Sequence, residues 1–337
     1  MFAQKDTSTS GDPKLTPEGD LRGWLVVVGS FLALFGTFVF LNAYYQKDTL
    51  SNYSASDISW IFAVQLALLW FPVPVLYPCS RLCIFALCMT SLATEYYQIF
   101  LAQGLAFGIG AGCVFTAAMP CVGRWFVRQR GLATGIASAG SSVGSVIFTI
   151  FLNRIVDYVG VYGTVRCTAF FVGVMLAISC CLVRARLPRT DWNSKAKWFD
   201  ISLFKDRKFV LYTIGAFFVM WGLWAPFDYL SSMAMNAGFS PTLALYLISL
   251  INATSVPGRI LPPHLGDRIG HFRHYGCFVS LLMLCVAEAG NLETLGVRFG
   301  TFQMIIGPSC LTDLPIMDAH LEPRYLRKRL FLSTLNF

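Results

Sequence analysis

Residues 125–144 read WFVRQRGLATGIASAGSSVG. Arg124, Arg128 and Arg130 crowd the start of this stretch, and the next charged residue is Arg154. Within the uncharged run, Gly131, Gly135, Gly140 and Gly144 recur at intervals of four and five. Lipid tails are as apolar as leucine, so helices in a bilayer gain little by hiding apolar side chains from each other. Small residues at spacings near four let helix backbones pack closely instead. The stretch therefore predicts a cluster of fixed positive charge at a membrane surface, followed by a close-packing transmembrane helix.

The rest of the 337-residue chain agrees with a membrane setting. Charged residues make up 13%, hydrophobic residues 55%, and mean hydropathy is +0.60. That charge content is about half of a soluble domain's, too little to coat a soluble surface. The net charge of +8 raises nucleic acid as a partner, but no basic helix or stripe of stacking aromatics accompanies it. Nucleic acid is thus excluded and membrane lipid is the expected surroundings. The eleven cysteines lie mostly inside apolar runs with no metal spacing, so they read as small hydrophobes of helix packing. No cofactor and no metal are expected.

A crossing helix needs about 20 mainly apolar residues. Runs near that length cover residues 23–43, 58–77, 99–122, 132–152, 165–183, 209–230 and 243–261, with short runs at 82–92 and 277–289. Counting the run at 82–92 as a crossing puts eighteen Lys and Arg residues on one side and only Lys47, Arg154 and Arg166 on the other. Basic loops stay in the cytoplasm, which places the amino terminus inside, in a multi-pass protein expected at the plasma membrane. Asn52-Tyr53-Ser54 then falls in the first outer loop, where Asn52 fits a glycosylation acceptor.

The expected organisation follows from these runs. Residues 1–22 form a disordered cytoplasmic tail and 23–183 a six-helix bundle with a shortened third helix. Residues 184–208 are a basic cytoplasmic linker, 209–290 a partial second bundle, and 291–337 a residual segment with a polar tail. Six helices, a long loop and a second helical half form the layout of the major facilitator fold. The fold class is all-α integral membrane, with a complete-looking first half and an incomplete second half.

Two motifs carry a family resemblance. Glu18-Gly19-Asp20-Leu21-Arg22-Gly23-Trp24 precedes the first helix, and Trp125-Phe126 with Arg128, Arg130, Gly131, Ala133, Gly135, Ala137, Ala139 and Gly140 joins the fourth and fifth. In both, the chain resembles the monocarboxylate transporter branch of the major facilitator superfamily, in its fungal form. Gly266-Asp267-Arg268-Ile269-Gly270, after the eighth run, is similar to the loop signature of the whole superfamily. The resemblance covers residues 18–307. Residues 70–85, WFPVPVLYPCSRLCIF, lack the first half's copy of that loop signature. Residues 296–303, GVRFGTFQ, resemble the family's loop between its tenth and eleventh helices, with at least one crossing skipped before them.

Candidate site residues follow. Intramembrane ionisable groups are costly and mark function. Arg259 resembles the family's eighth-helix arginine, implied to bind a carboxylate through its planar, bidentate fork; the plainer reading is an arginine reaching for the membrane interface. Asn42 and Ser255 stand where proton-coupled members carry lysine and aspartate, so proton coupling by that route is not expected. Asp228 is either a substitute titrating group or a residue facing outer water. Asn42 and Asn252 are hydrogen-bonding candidates for a ligand, whereas Gln65 and Gln103 suit helix packing. Asp267 and Arg268, with Arg128 and Arg130, form a charged latch between the two cytoplasmic ends, or a solvated turn. The glycines Gly104, Gly108 and Gly112 nominate the fourth helix as packing partner of the glycine-studded fifth.

The expected function is transport of small organic anions by rocking of two helical halves. The alternatives are export of a larger hydrophobic metabolite, suited to the aromatic seventh helix, and a truncated membrane protein that no longer transports. His264, His271 and His274 near Asp267 raise a membrane enzyme, but one histidine pair without a third placed ligand is weak, and no enzyme is expected.

Overall fold

The computed structural model describes residues 20–37, 50, 52–70, 79–126, 128–184, 201–224, 230, 233–235, 237–269, 297–313 and 315–316. Asn42, Asp228, the run at 277–289 and most of the central linker lie outside the described residues, as does the side chain of Arg268. The described residues are helical: α1 (Leu21–Phe35), α2 (Ala55–Leu69), α3 (Cys79–Thr90), α4 (Tyr96–Trp125), α7 (Arg207–Leu223), α8 (Pro241–Ile269) and α9 (297–313). A single stretch, Arg130–Leu182, supplies α5 and α6, which meet at Gly160 with φ 69° and ψ 177°. No atom stands near a Cβ added at Gly160. The glycine is required there by its left-handed φ and not by space. Three described helices are long and apolar enough to cross a membrane, and four shorter apolar ones accompany them. Leu101, Leu105, Ile147, Phe170 and Ile178 are exposed, an apolar outer surface that suits lipid and not water.

The glycines set the directions of the helices. A Cβ on Gly140 would overlap the Phe31 carbonyl and one on Gly144 the Phe35 carbonyl, so α1 and α5 run parallel. Gly29 faces Leu182 and Val183 while Gly36 faces Val172, so α6 runs back against α1. Phe35, Phe148 and Phe171 close that three-helix junction, with ring centroids 5.3 to 5.8 Å apart.

The fourth helix is not the glycine partner of the fifth. Gly104 sits 3.1 Å, by its would-be Cβ, from the Ile61 carbonyl, and Gly108 the same distance from Gln65. Gly112 faces Leu68, so this stripe belongs to α2. Gln103 Nε2 donates to Gln65 Oε1 at 3.3 Å across the same buried contact. Gln103 and Gly104 lie in a π-helical segment, Phe100–Phe107, that widens α4 there. The end of the pair away from the arginine cluster is fixed by a capping box, in which Ser54 Oγ accepts from the Asp57 amide at 3.1 Å. The Tyr96 hydroxyl then donates to the Asp57 carbonyl at 2.8 Å. Asn52, two residues before the cap, is exposed.

Two boundaries differ from those expected. α8 continues past residue 261 to Ile269, so Asp267 lies on the helix and Arg259 ten residues before its end. Pro262, Pro263 and His264 end the hydropathy run without ending the helix. The segment read as a loop, residues 296–303, is helical from Val297. Phe299, Phe302, Ile306 and Cys310 form the buried stripe of α9. Phe299 stacks on Phe115 of α4 and Phe302 on Tyr212 of α7, with centroids 6.2 and 5.4 Å apart. Trp224, just past α7, pairs with Cys310 and Asp313 at the other end of α9. α9 therefore runs parallel to α7.

Close backbone contact at Gly140 has a direct consequence. Gly140→Leu and Gly135→Leu should each lower the yield of folded protein, because overpacking costs about 1–3 kcal/mol. Gly215→Leu, at a position with open space around it, should be tolerated. The height of the monodisperse peak in fluorescence-detected size exclusion checks this; equal peaks for all three variants would refute the close-contact reading.

Candidate functional site

The site is built where α5 starts. Arg130 opens α5, and its Nε donates to the carbonyls of Gly123 and Phe126, both at 3.1 Å. One side chain thus serves the acceptors left over at the end of α4. Phe126 in turn packs edge-on against Trp24 of α1 at 5.2 Å, and Trp125 Nε1 donates to the Arg184 carbonyl at 3.0 Å. The two family-like motifs of the sequence therefore meet at one end of the bundle, the basic end. Arg128 is exposed there.

The first amides of α5 have no acceptors within their own helix. Asp267 of α8 supplies them: Oδ1 accepts from Gly131 N at 2.7 Å and Oδ2 from Leu132 N at 2.9 Å. A carboxylate at a helix N-terminus also meets the positive end of the helix dipole. The approach needs glycine, because a Cβ on Gly131 would overlap the Pro263 carbonyl and lie 2.6 Å from Asp267 Oδ1. One turn further, a Cβ on Gly135 would stand 2.6 Å from the Arg259 carbonyl. α5 and α8 thus form a seam that closes the basic end between the two halves. The expected latch called on Asp267 and arginine side chains; the contact seen at Asp267 includes a backbone component that side-chain charge counting does not reveal.

Arg259 lies on the inner part of the same seam. Its Nη1 donates to the Ser138 carbonyl at 2.9 Å and also to Ser141 Oγ. Both partners belong to α5, so the guanidinium is held across the seam and does not reach for the interface. Arg259, Ser138 and Ser141 make the polar side of a crevice. Leu34, Trp70, Phe115, Met119 and Trp224 make the other side. With the seam closed, this crevice has room for about one water molecule. Four helices contribute to it (α1, α4, α5 and α8), besides Trp70 and Trp224 at the ends of α2 and α7.

Of the remaining candidates, Asn252 is buried on α8, but its Nδ2 donates to Ile248 O of its own helix at 3.0 Å. Ser255 likewise bonds back to Ile251 O at 2.8 Å. His264 lies on α8, and the other two histidines of that cluster lie outside the described residues. Trp224 belongs to the aromatic seventh helix that the sequence offers for a hydrophobic substrate, whereas Trp70 looks in the sequence like any other aromatic in an apolar run.

Residues 23–290 match the Major Facilitator Superfamily. The chain belongs to that superfamily. Among curated proteins, MFS-type transporter 1 of Ophiocordyceps sp. (strain BCC 1869) is 33% identical, covering 91% of this chain and 80% of its own. The agnestins efflux protein AgnL12 of Paecilomyces divaricatus is 36% identical over 89% of this chain and 74% of its own. The aspyridones efflux protein apdF of Emericella nidulans is 35% identical over 90% and 66%, respectively. This member of the Major Facilitator Superfamily is accordingly a multi-pass membrane transporter. Two of these relatives are named for efflux, of agnestins and of aspyridones, which fits the expected alternative, export of a larger metabolite, better than transport of small organic anions.

The seam makes a measurable prediction. Asp267→Asn keeps the shape but turns one acceptor into an N–H that faces another N–H. Loss of the charge and one good bond should cost about 1–2 kcal/mol, roughly five- to thirtyfold in the open fraction. Labelling of a cysteine placed at buried Thr134 by an impermeant maleimide added from the basic side should rise by that factor. An unchanged labelling rate would mean that Asp267 does not hold the seam shut.

Proposed function

We propose that this transporter exports a hydrophobic, acid-bearing metabolite by alternating access, with Arg259 as its central recognition residue. The observation that carries the reading is the crevice itself, one guanidinium set among Trp70, Phe115, Met119 and Trp224. A short polar monocarboxylate would use Arg259 and leave that apolar wall without a partner. A larger apolar body covers it and gains about 25 cal/mol for each Å² removed from water. The efflux named for two relatives supports the same direction of transport. The basic end is assigned to the cytoplasm and the protein to the plasma membrane, with Asn52 as an outer glycosylation acceptor.

In this reading the seam between α5 and α8 gates the cytoplasmic side. Asp267 holds the gate through Gly131 and Leu132, with Arg128, Arg130 and Arg268 as the charged surroundings. Asn252 contributes through its helix, since its amide group serves Ile248. Asn42 and Asp228 are retained as further binding candidates on sequence grounds alone. Transport of small organic anions is the second reading, favoured only by Arg259.

The test is accumulation of labelled aromatic acid in intact cells at matched surface expression. Parent-expressing cells should retain less label than empty cells. Arg259→Lys should weaken export roughly ten- to a hundredfold despite keeping the charge, since an ammonium cannot reproduce the planar two-bond contact. Greater retention in parent cells would establish import, and an Arg259→Lys protein as active as the parent would remove Arg259 from recognition.

A further inference from the structure

We infer that Trp70 is a second recognition point, and that the crevice selects flat, conjugated acids carrying a neutral oxygen acceptor apart from the acid group. This inference rests on the proposed export reading for its choice of site. It goes beyond that reading by naming the substrate's skeleton and its second functional group.

Trp70 is 1% exposed and lines the crevice, yet its Nε1–H has no hydrogen-bond partner among the described residues. A buried indole N–H ordinarily finds an acceptor, and a buried donor left without one is costly and calls for an explanation. The ring is not adrift. Its residue ends α2, with the backbone amide bonded to Leu66 O at 3.1 Å, and the indole packs edge-on against Phe115 at 5.0 Å. The donor is therefore held in place ahead of any ligand, which spares a ligand the cost of ordering it. Arg259, by contrast, already has Ser138 and Ser141. Among the residues lining the crevice, the Arg259 guanidinium is bonded across the seam, whereas the Trp70 indole N–H has no acceptor among the described residues.

The wall between these groups specifies the skeleton. Trp70, Phe115 and Trp224 present ring surfaces and Met119 a polarisable sulfur, all of which favour a flat π system over a saturated chain. A saturated fatty acid would answer Arg259 but neither the rings nor the indole N–H. A flat acid without a second oxygen acceptor would answer the rings and Arg259 but leave the Trp70 indole N–H unanswered.

The experiment uses the full chain, purified in lipid nanodiscs, and isothermal titration with three probes. They are 6-acetyl-2-naphthoic acid, its isopropyl counterpart of like shape without the oxygen, and decanoic acid. The parent should bind the acetyl acid about three- to tenfold tighter than the isopropyl acid, the factor for one neutral hydrogen bond, and decanoic acid most weakly. Trp70→Phe keeps a ring but removes the donor, so it should abolish the acetyl preference, weakening the acetyl acid about three- to tenfold more than the isopropyl acid. Equal binding of the acetyl and isopropyl acids by the parent overturns the inference without any variant being needed. A Trp70→Phe protein that retains the preference overturns the role of Nε1, and decanoic acid binding as well as the naphthoates overturns the flat skeleton. The export reading fails separately: probe binding with the Trp70 signature but no export from cells defeats that reading and leaves this one standing.

Discussion

The approach of α5 to its neighbours at backbone distance is the constraint on which the rest of the structure depends. Nine residues at about 100° each turn a helix by half a circle, so Gly131 and Gly140 lie on opposite sides of α5. Gly140 and Gly144 take α1 of the same half, whereas Gly131 and Gly135 take α8 of the other. One helix is thereby clamped on both sides by carbonyl oxygens where any side chain would intrude. The inner contact is buried within one bundle. The outer one is a seam between bundles, completed by a carboxylate whose bonds to Gly131 and Leu132 are directional. Packed contacts of this kind are bistable and not continuously deformable, which is how small shifts become opening and closing.

Much of this was legible in the residues. A long uncharged run with spaced glycines can only be a close-packed membrane helix, and the arginine cluster marks one end of it. What could not be read was which helix each glycine faces. Gly104, Gly108 and Gly112 suit any close partner by composition, and α2 is their partner only because the bundle's three-dimensional order puts Ile61, Gln65 and Leu68 there. Spacing tells that a groove exists, not what fills it.

Hydropathy also misread polar residues that face protein. Arg298, Gln303 and Asp313 are all nearly inaccessible on α9, and Gln303 Oε1 accepts from Thr116 Oγ1 at 3.3 Å. Their polarity lowers the apparent membrane character of the segment, yet none of them meets lipid. The same holds for α8, whose hydropathy run stops at Leu261 although the helix continues through Asp267 to Ile269. Asn252 erred in the other direction: a buried amide looked available to a ligand, but a carbonyl one turn back on its own helix is always within its reach. A polar residue inside a span marks a place where polarity is satisfied, and only geometry tells by what.

Arg259 joins the two themes. Its guanidinium is bonded to the Ser138 carbonyl and Ser141 hydroxyl of α5, so the group best suited to an acid substrate is also part of the seam. A bound carboxylate offers charged acceptors in place of neutral ones, and charge-assisted bonds are about twice as strong. In the proposed reading, an acid at Arg259 would compete with α5 for the same donors and weaken the seam, while Asp267, near its other end, would continue to favour closure. A ligand can shift a conformational equilibrium only by its difference in affinity for the two states. An apolar molecule without an acid has no such difference at Arg259, however well it covers Trp70 and Trp224. In the proposed reading, the aromatic wall would set which molecules stay, and the guanidinium would set which of them bear on the opening of α5 from α8.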